Sequence, residues 1–166
     1  MNAYVDKLFN NPQLIGHYPD IIGHKNTLAD LGKDHDVVEF GVRCGFSSVC
    51  FLKFCKSLTS YDIDFTEQAQ TLKWECPKWN FNHKSSLEVE IPECDVLFID
   101  SDHTYKQLTA ELEMHEAKVK KFIAMHDTYI PEMRSALNNF LDKSRKWDIL
   151  SDTPDCNGFT VLKRIA

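Results

Sequence analysis

The stretch Val37 to Phe51, VVEFGVRCGFSSVCF, begins as an apolar run, passes through two glycines four residues apart, and ends in a second apolar run. The β-branched first part reads as a buried strand and the last part as a helix. Gly41 and Gly45 let the backbone turn sharply between the two, and Ser47 and Ser48, with free N–H groups, open the helix. Small groups at such a turn let a ligand approach the main chain. Taken alone, this unit suits any nucleotide cofactor.

The same alternation continues on both sides of it. DVVEF reads as a strand, FSSVCFLKFCK as a helix, SLTSYDID as a strand, and TEQAQTLKWEC as a helix halted before Pro77. WNFNHK is a third strand. CDVLFID, from Cys94 to Asp100, is nearly all apolar, as expected of a strand covered by helices on both faces. In TYKQLTAELEMHEAKVKK, residues Tyr105, Leu108, Leu112, His115 and Val119 share one helical face, and His115 there reads as a core histidine. FIAMHD is the next strand. IPEMRSALNNFLDK is a helix with Met133, Leu137, Phe140 and Leu141 inward and Pro131 in its first turn. WDILSD and GFTVLKRI close the chain, and with Asn157-Gly158 near the bend they form an antiparallel pair. The expected fold is α/β, a Rossmann-like doubly wound sheet, mostly parallel with an antiparallel C-terminal strand and helices on both faces. The first 35 residues, punctuated by Pro12, Gly16, Pro19 and Gly23, show one helix, HKNTLADLGKD.

Composition narrows the function classes. The 166 residues are enough for one continuous core, and 43% hydrophobic with 27% charged residues is ordinary globular usage. A net charge of -6, with no basic block beyond KVKK at Lys118 to Lys121, argues against a nucleic-acid partner. Cys44, Cys50, Cys55, Cys76, Cys94 and Cys156 form no C-x-x-C pair, and MNAYVDKLFN lacks the pattern of a signal peptide, so the thiols are expected to be reduced and mostly buried. No apolar run approaches a membrane span, and a soluble cytoplasmic protein is expected.

Ligands on such sheets bind beyond the carboxyl ends of the strands. There the sequence places Glu39, Gly41, Gly45, Ser47 and Ser48 after the first strand. Asp62 follows the second, 21 residues past Gly41, where an acid can bond both hydroxyls of a ribose. The competing reading makes Asp62 a turn residue or cap, and Asp64 is the expected cap of the next helix. IDSDH supplies Asp100, Asp102 and His103 after the fourth strand, and MHDT supplies His126, Asp127 and Thr128 after the fifth. Asp102, Thr104 or Asp127 could each serve as a helix cap. Facing one crevice, the two clusters suit either an oxygen-rich divalent site such as Mg²⁺ or a histidine general base.

VVEFGVRCGFSS, SYDID, CDVLFIDSDHTYKQLTAELE, FIAMHDT and NGFTVLKR resemble, in order and spacing, the class I S-adenosylmethionine-dependent methyltransferases. They are most similar to a small-molecule O-methyltransferase group with an IDGDH-[ST]-Y signature, and the resemblance runs from Asp36 to the C-terminus. It implies residues 36–166 as the S-adenosylmethionine-binding methyltransferase domain and 1–35 as a helical cover segment. It assigns Glu39, Gly41, Gly45, Ser47 and Ser48 to the methionine part of the cofactor, Asp62 to the ribose diol, and Ser85 or Ser86 to the edge of the adenine, with Asp100 also beside the cofactor. In metal-dependent relatives the acids after strands four and five hold a divalent ion, which falls here on Asp100 and Asp127, with His126 where a second acid often stands. Ser101 departs from the glycine of the signature, and His126 departs from an oxygen-only ligand set. Without a metal, His103 or His126 would take the proton of the acceptor hydroxyl, with Asp100 beside them.

The activity so implied is O-methylation of a small-molecule or sugar hydroxyl. A dinucleotide oxidoreductase would share the strand, turn and ribose acid, but GVRCGFS is not the G-x-G-x-x-G that a pyrophosphate requires. A nucleic-acid amino-methyltransferase would carry [DN]-P-P-[YF] where IDSDH stands. A cofactor-binding module without transferase activity is a third reading. Phe9, Tyr18, Tyr105 and Tyr129 are candidates for the acceptor pocket, and an active site completed across a homodimer is a further expectation.

Overall fold

The computed structural model describes residues 2–16 and 19–166; Tyr18 lies outside the described residues. Its framework is a seven-stranded sheet made of β1 (Asp36–Phe40), β2 (Ser57–Asp62), β3 (Asn80–His83), β4 (Cys94–Ile99), β5 (Val119–His126), β6 (Trp147–Thr153) and β7 (Phe159–Arg164). The spatial order is β3-β2-β1-β4-β5-β7-β6. The first five strands are parallel, and β7 lies between β5 and β6, antiparallel to both. The fold is thus the expected doubly wound sheet with an antiparallel C-terminal pair.

Strand alternation builds two cores, one on each face. Val37, Val96 and Phe98 pack on the side covered by α1 (Ala3–Asn10), α3 (Lys25–Gly32), α4 (Phe46–Leu52) and α5 (Glu67–Glu75). Val38, Phe40, Leu97 and Ile99 pack on the other side, against α6 (Tyr105–His115) and α7 (Pro131–Lys143). All six residues of β4 are buried, as its apolar run requires. Four of the six free thiols are buried. Among the described residues, no helix is long and apolar enough to cross a membrane.

Four local expectations differ from the structure. The N-terminal segment holds more helix than HKNTLADLGKD, because α1 is capped by Asn2, whose side chain accepts from the amides of Tyr4 and Val5 at 2.9 and 3.3 Å. A short helix, α2 (Pro19–Ile22), follows it. α6 ends at His115, and Val119 to Lys121 belong to β5 instead. Val119 fits the helical spacing, but it pairs with Cys94, and Lys118, Lys120 and Lys121 meet Glu90, Glu93 and Asp95 across the strand entrance. Tyr105 is consequently off the buried face, with its hydroxyl accepting from Asn139. The cap of α5 is Thr66, which accepts from the Ala69 amide, while Asp64 turns its own amide to Asp62.

Candidate active site

The chain runs outward from β1 through β2 to β3 and then returns to β4 on the other side of β1, so a crevice opens between β1 and β4. A cavity of about 620 Å³ occupies it, reached by the carboxyl ends of β1, β2, β4 and β5 and by Asp20 and Ile21 of α2. Gly41 is required here for a packing reason. Its φ is +83°, and a Cβ would lie 2.0 Å from the Asp100 carbonyl oxygen. Gly45, at φ +89°, caps α4 without a side chain. The glycines therefore fit loop to loop, a tighter constraint than room for a ligand.

Ser47 and Ser48 do not cap the helix they open. Their hydroxyls donate to the two oxygens of Glu39 at 2.6 and 2.7 Å, and Ser60 donates to Glu39 as well at 2.6 Å. Trp79 Nε1 donates to Ser60 Oγ, which completes a sealed polar cluster beneath α4. Burial pushes the Glu39 carboxyl up to about 7 against the pull of the three hydroxyls. Glu39 and Ser48 are thus buried behind the cavity wall, and Ser47 lines it.

Asp62 stands at the cavity edge. Its Oδ2 accepts from the amides of Val42 and Arg43 at 2.6 and 2.8 Å, and its Oδ1 from that of Asp64 at 2.8 Å. It holds the β1–α4 loop, in which Arg43 has a φ of 52°. Ser85, Ser86, Ser101 and Gln107 line a further part of the wall. Behind them Glu111, fully buried on the apolar face of α6, accepts from Ser86, Ser101 and Gln107, and burial raises its pKa in spite of those bonds.

The ends of β4 and β5 meet as the sequence implies. His103 Nε2 lies 2.9 Å from Asp127 Oδ2 and 3.4 Å from Asp100 Oδ1, and His126 Nδ1 lies 3.1 and 3.4 Å from the same two oxygens. The carboxylates raise His103 to about 10. Burial opposes the same effect at His126, which still reaches about 9. Burial would raise Asp100 and Asp127, but the imidazole contacts together outweigh it and hold both below the carboxylate range. The two carboxylates therefore favour the charged form of both imidazoles. Asp127 has a φ of 56°, held by the Tyr129 amide donating to the Asn157 carbonyl at 2.8 Å. Thr104, not Asp102, caps α6, and the N-cap of α7 is Ile130, with no side-chain bond, so Asp127 does not cap it. Asp100, His103 and Asp127 offer ligand atoms that all lie within 4.8 Å of one another.

Residues 38–128 match the family model of a methyltransferase domain. The chain belongs to this methyltransferase family. Among solved structures, the methyltransferase is similar to a Staphylococcus aureus protein proposed to be a caffeoyl-CoA O-methyltransferase, at 14% identity and a TM-score of 0.71 over 99% of this chain and 93% of that one. The N-methyltransferase NodS of Bradyrhizobium japonicum, solved with S-adenosyl-l-homocysteine, gives 10% identity and a TM-score of 0.71 over 99% and 98% of the two chains. The magnesium protoporphyrin IX methyltransferase of Synechocystis, solved with bound SAM, gives 13% and 0.68 over 99% and 97%. No curated protein matches the sequence. The shared fold is that of class I methyltransferases.

Residues that the sequence did not disclose also line or back the cavity of this methyltransferase. Gln107 lines it from α6 and Glu111 stands behind Gln107; the available signal was a carboxylate beside Leu108 and Leu112 on an apolar helical face. His24 comes from the N-terminal segment, stacked on Phe159 at 4.5 Å and edge-on to His126 at 5.5 Å. Its Nε2 and that of His126 are buried without a hydrogen-bond partner among the described residues. Phe9, Tyr105 and Tyr129 do not line the cavity. His115 is the core histidine expected, bonded to the Ser86 carbonyl at 2.9 Å.

Proposed function

We propose that the protein is an S-adenosylmethionine-dependent methyltransferase acting on the hydroxyl oxygen of a small molecule or sugar, with a divalent cation held by Asp100, His103 and Asp127. The observation that carries this reading is the acidic cavity at the β1–β4 crevice. Asp20, Asp62, Asp64, Asp100, Asp102 and Asp127 line it against Arg43 and Lys84, so carboxylates outnumber cations even with His103 and His126 protonated. Such a wall favours a ligand whose sulfonium and ammonium leave it net positive. Asp62 spends three acceptor positions on backbone amides and keeps roughly one for a ribose hydroxyl.

The cofactor supplies an electrophilic methyl group. The protein's part is to hold the acceptor oxygen in line with it and to take up the hydroxyl proton in a site closed to water. A cation at the two carboxylates and His103 would supply Lewis acidity to the acceptor hydroxyl, and the imidazole nitrogen beside two oxygens favours Mn²⁺ over the oxygen-preferring Mg²⁺. His126, buried beneath that set, orients both carboxylates from Nδ1.

Calorimetric titration with S-adenosylmethionine and with NAD tests the cofactor; binding of the first and not the second is expected, and no binding of the first rejects the reading. Asp62→Ala should weaken that binding by about 1.5–3 kcal/mol, the scale of hydrogen bonds to a charged group. Asp100→Ala and Asp127→Ala should each abolish Mn²⁺ binding and leave cofactor affinity largely intact. Unchanged metal affinity in both variants removes the cation from the proposal.

A further inference from the structure

Asp127 follows β5 in a left-handed conformation and is buried, so its neighbours must hold the backbone there. The turn after it, Thr128 to Ile130, leads straight into α7, and both sides of that turn are tied to one carboxylate on the edge strand β6. On the α7 side, Arg134 donates to Asp152 Oδ1 and Oδ2 at 2.9 and 3.1 Å and lies over the Tyr129 ring, 4.3 Å from its centre. On the β5 side, Thr160 Oγ1 lies 2.7 Å from Asp152 Oδ1 and 2.8 Å from Thr128 Oγ1. An aspartate paired with a guanidinium is ionised and can only accept, and a hydroxyl has one hydrogen. Thr160 therefore donates to Asp152, and Thr128 donates to Thr160. The Thr128 amide reaches the Gly158 carbonyl only at 3.4 Å, so the hydroxyl is the shorter fastening of the residue next to Asp127. Thr128 and Thr160 are fully buried, which keeps water from competing for either bond.

We propose that Asp152 is a positioning residue for the cation: acting through Thr160 and Thr128, it fixes the carboxylate of Asp127 and makes the exposed edge strand β6 part of the metal site. The inference rests on the cation reading above and adds a residue that lines no part of the cavity. Metal–ligand distances tolerate only about 0.2 Å, so a turn freed at Thr128 costs affinity even with Asp100, His103 and Asp127 all present.

The test titrates Mn²⁺ calorimetrically against the full chain and its variants, with Tm measured for each. Asp152→Ala should weaken Mn²⁺ binding by about tenfold or more, the scale of a lost outer-shell partner, and leave S-adenosylmethionine affinity unchanged. Asp152→Asn keeps an oxygen at the Oδ1 place for Thr160 and should restore most of the Mn²⁺ affinity; an asparagine variant as weak as the alanine one overturns the inference. Glu116→Ala is the control for stability alone, because Glu116 accepts from Trp147 Nε1 at the far end of β6, at 2.8 Å. It should lower Tm and leave Mn²⁺ binding intact. Equal weakening by Glu116→Ala and Asp152→Ala, or an unchanged affinity in folded Asp152→Ala, overturns the inference and leaves the cation reading standing. Should Asp152→Ala not fold, Thr160→Val removes the middle hydroxyl while the Arg134–Asp152 pair remains, and unchanged Mn²⁺ affinity there is equally decisive. Unmodified protein that binds no Mn²⁺ rejects the cation reading, and the inference with it.

Discussion

A carboxyl group sealed beneath α4 adds its own pH dependence to the stability of the protein. Glu39 titrates at about 7 in the folded protein against an ordinary 4.5, because burial outweighs its three hydroxyl donors. Between those values the folded state keeps a proton that the unfolded state has lost, so the contribution of Glu39 to stability falls as pH rises from 4.5 to about 7 and is level above it. The loss is about 3 kcal/mol, since each tenfold difference in proton affinity between the two states is worth about 1.4 kcal/mol. Glu39→Gln keeps an acceptor for the serines and has nothing to titrate. Urea unfolding of both proteins at pH 5 and pH 8 should therefore show the variant gaining relative to the parent at the higher pH; parallel profiles would refute the assignment. The sequence marked Glu39, Ser47 and Ser48 as neighbours of a ligand. The hydroxyls that satisfy Glu39 come from α4 and β2, and that pairing exists only once the helix has folded back over the sheet.

At the scale of elements, the β1–α4 loop is pressed against the end of β4. Gly41→Ala would force a side chain into a left-handed conformation and against the Asp100 carbonyl. The expected loss is roughly 3 kcal/mol or more, measured by chemical denaturation, together with weaker Mn²⁺ binding as Asp100 shifts. Gly158, at φ +100°, plays a similar part beneath Asp127, since a Cβ there would meet the Tyr129 amide nitrogen at 2.6 Å. The two glycine turns were legible because both fall between a strand and its continuation. Their partners were not, because local pattern carries no record of which distant carbonyl approaches. The same holds for the end of α6: Val119 continues the helical spacing of His115, and only pairing with Cys94 assigns it to β5.

Across the whole molecule, the N-terminal segment shares its core with the sheet. Val5 and Leu8 of α1, Ile15, Ile21 and Leu28 join Val49, Phe51 and Leu72 in one apolar cluster. Removing residues 1–11 takes Val5 and Leu8 out of that cluster, a loss of about 3–6 kcal/mol at 1.5–3 for each buried aliphatic side chain. Urea denaturation of the truncated chain should show that drop; an unchanged midpoint would mean that α1 contributes nothing to the core. From β1 onward, strand and helix order, the antiparallel ending, and the placing of Asp62, Asp100, His103, His126 and Asp127 at strand ends were determined by the sequence alone. Periodicity and turn chemistry are local, and a doubly wound sheet leaves few ways to connect such elements. Only the tertiary structure decided that His103 and His126 both lie against the carboxylates of Asp100 and Asp127, that His24 packs against His126, and that Glu111 gathers three side chains of the cavity wall. Each depends on burial and on distances between residues far apart in the chain, which set the cost of a charge and the partners of a hydrogen bond.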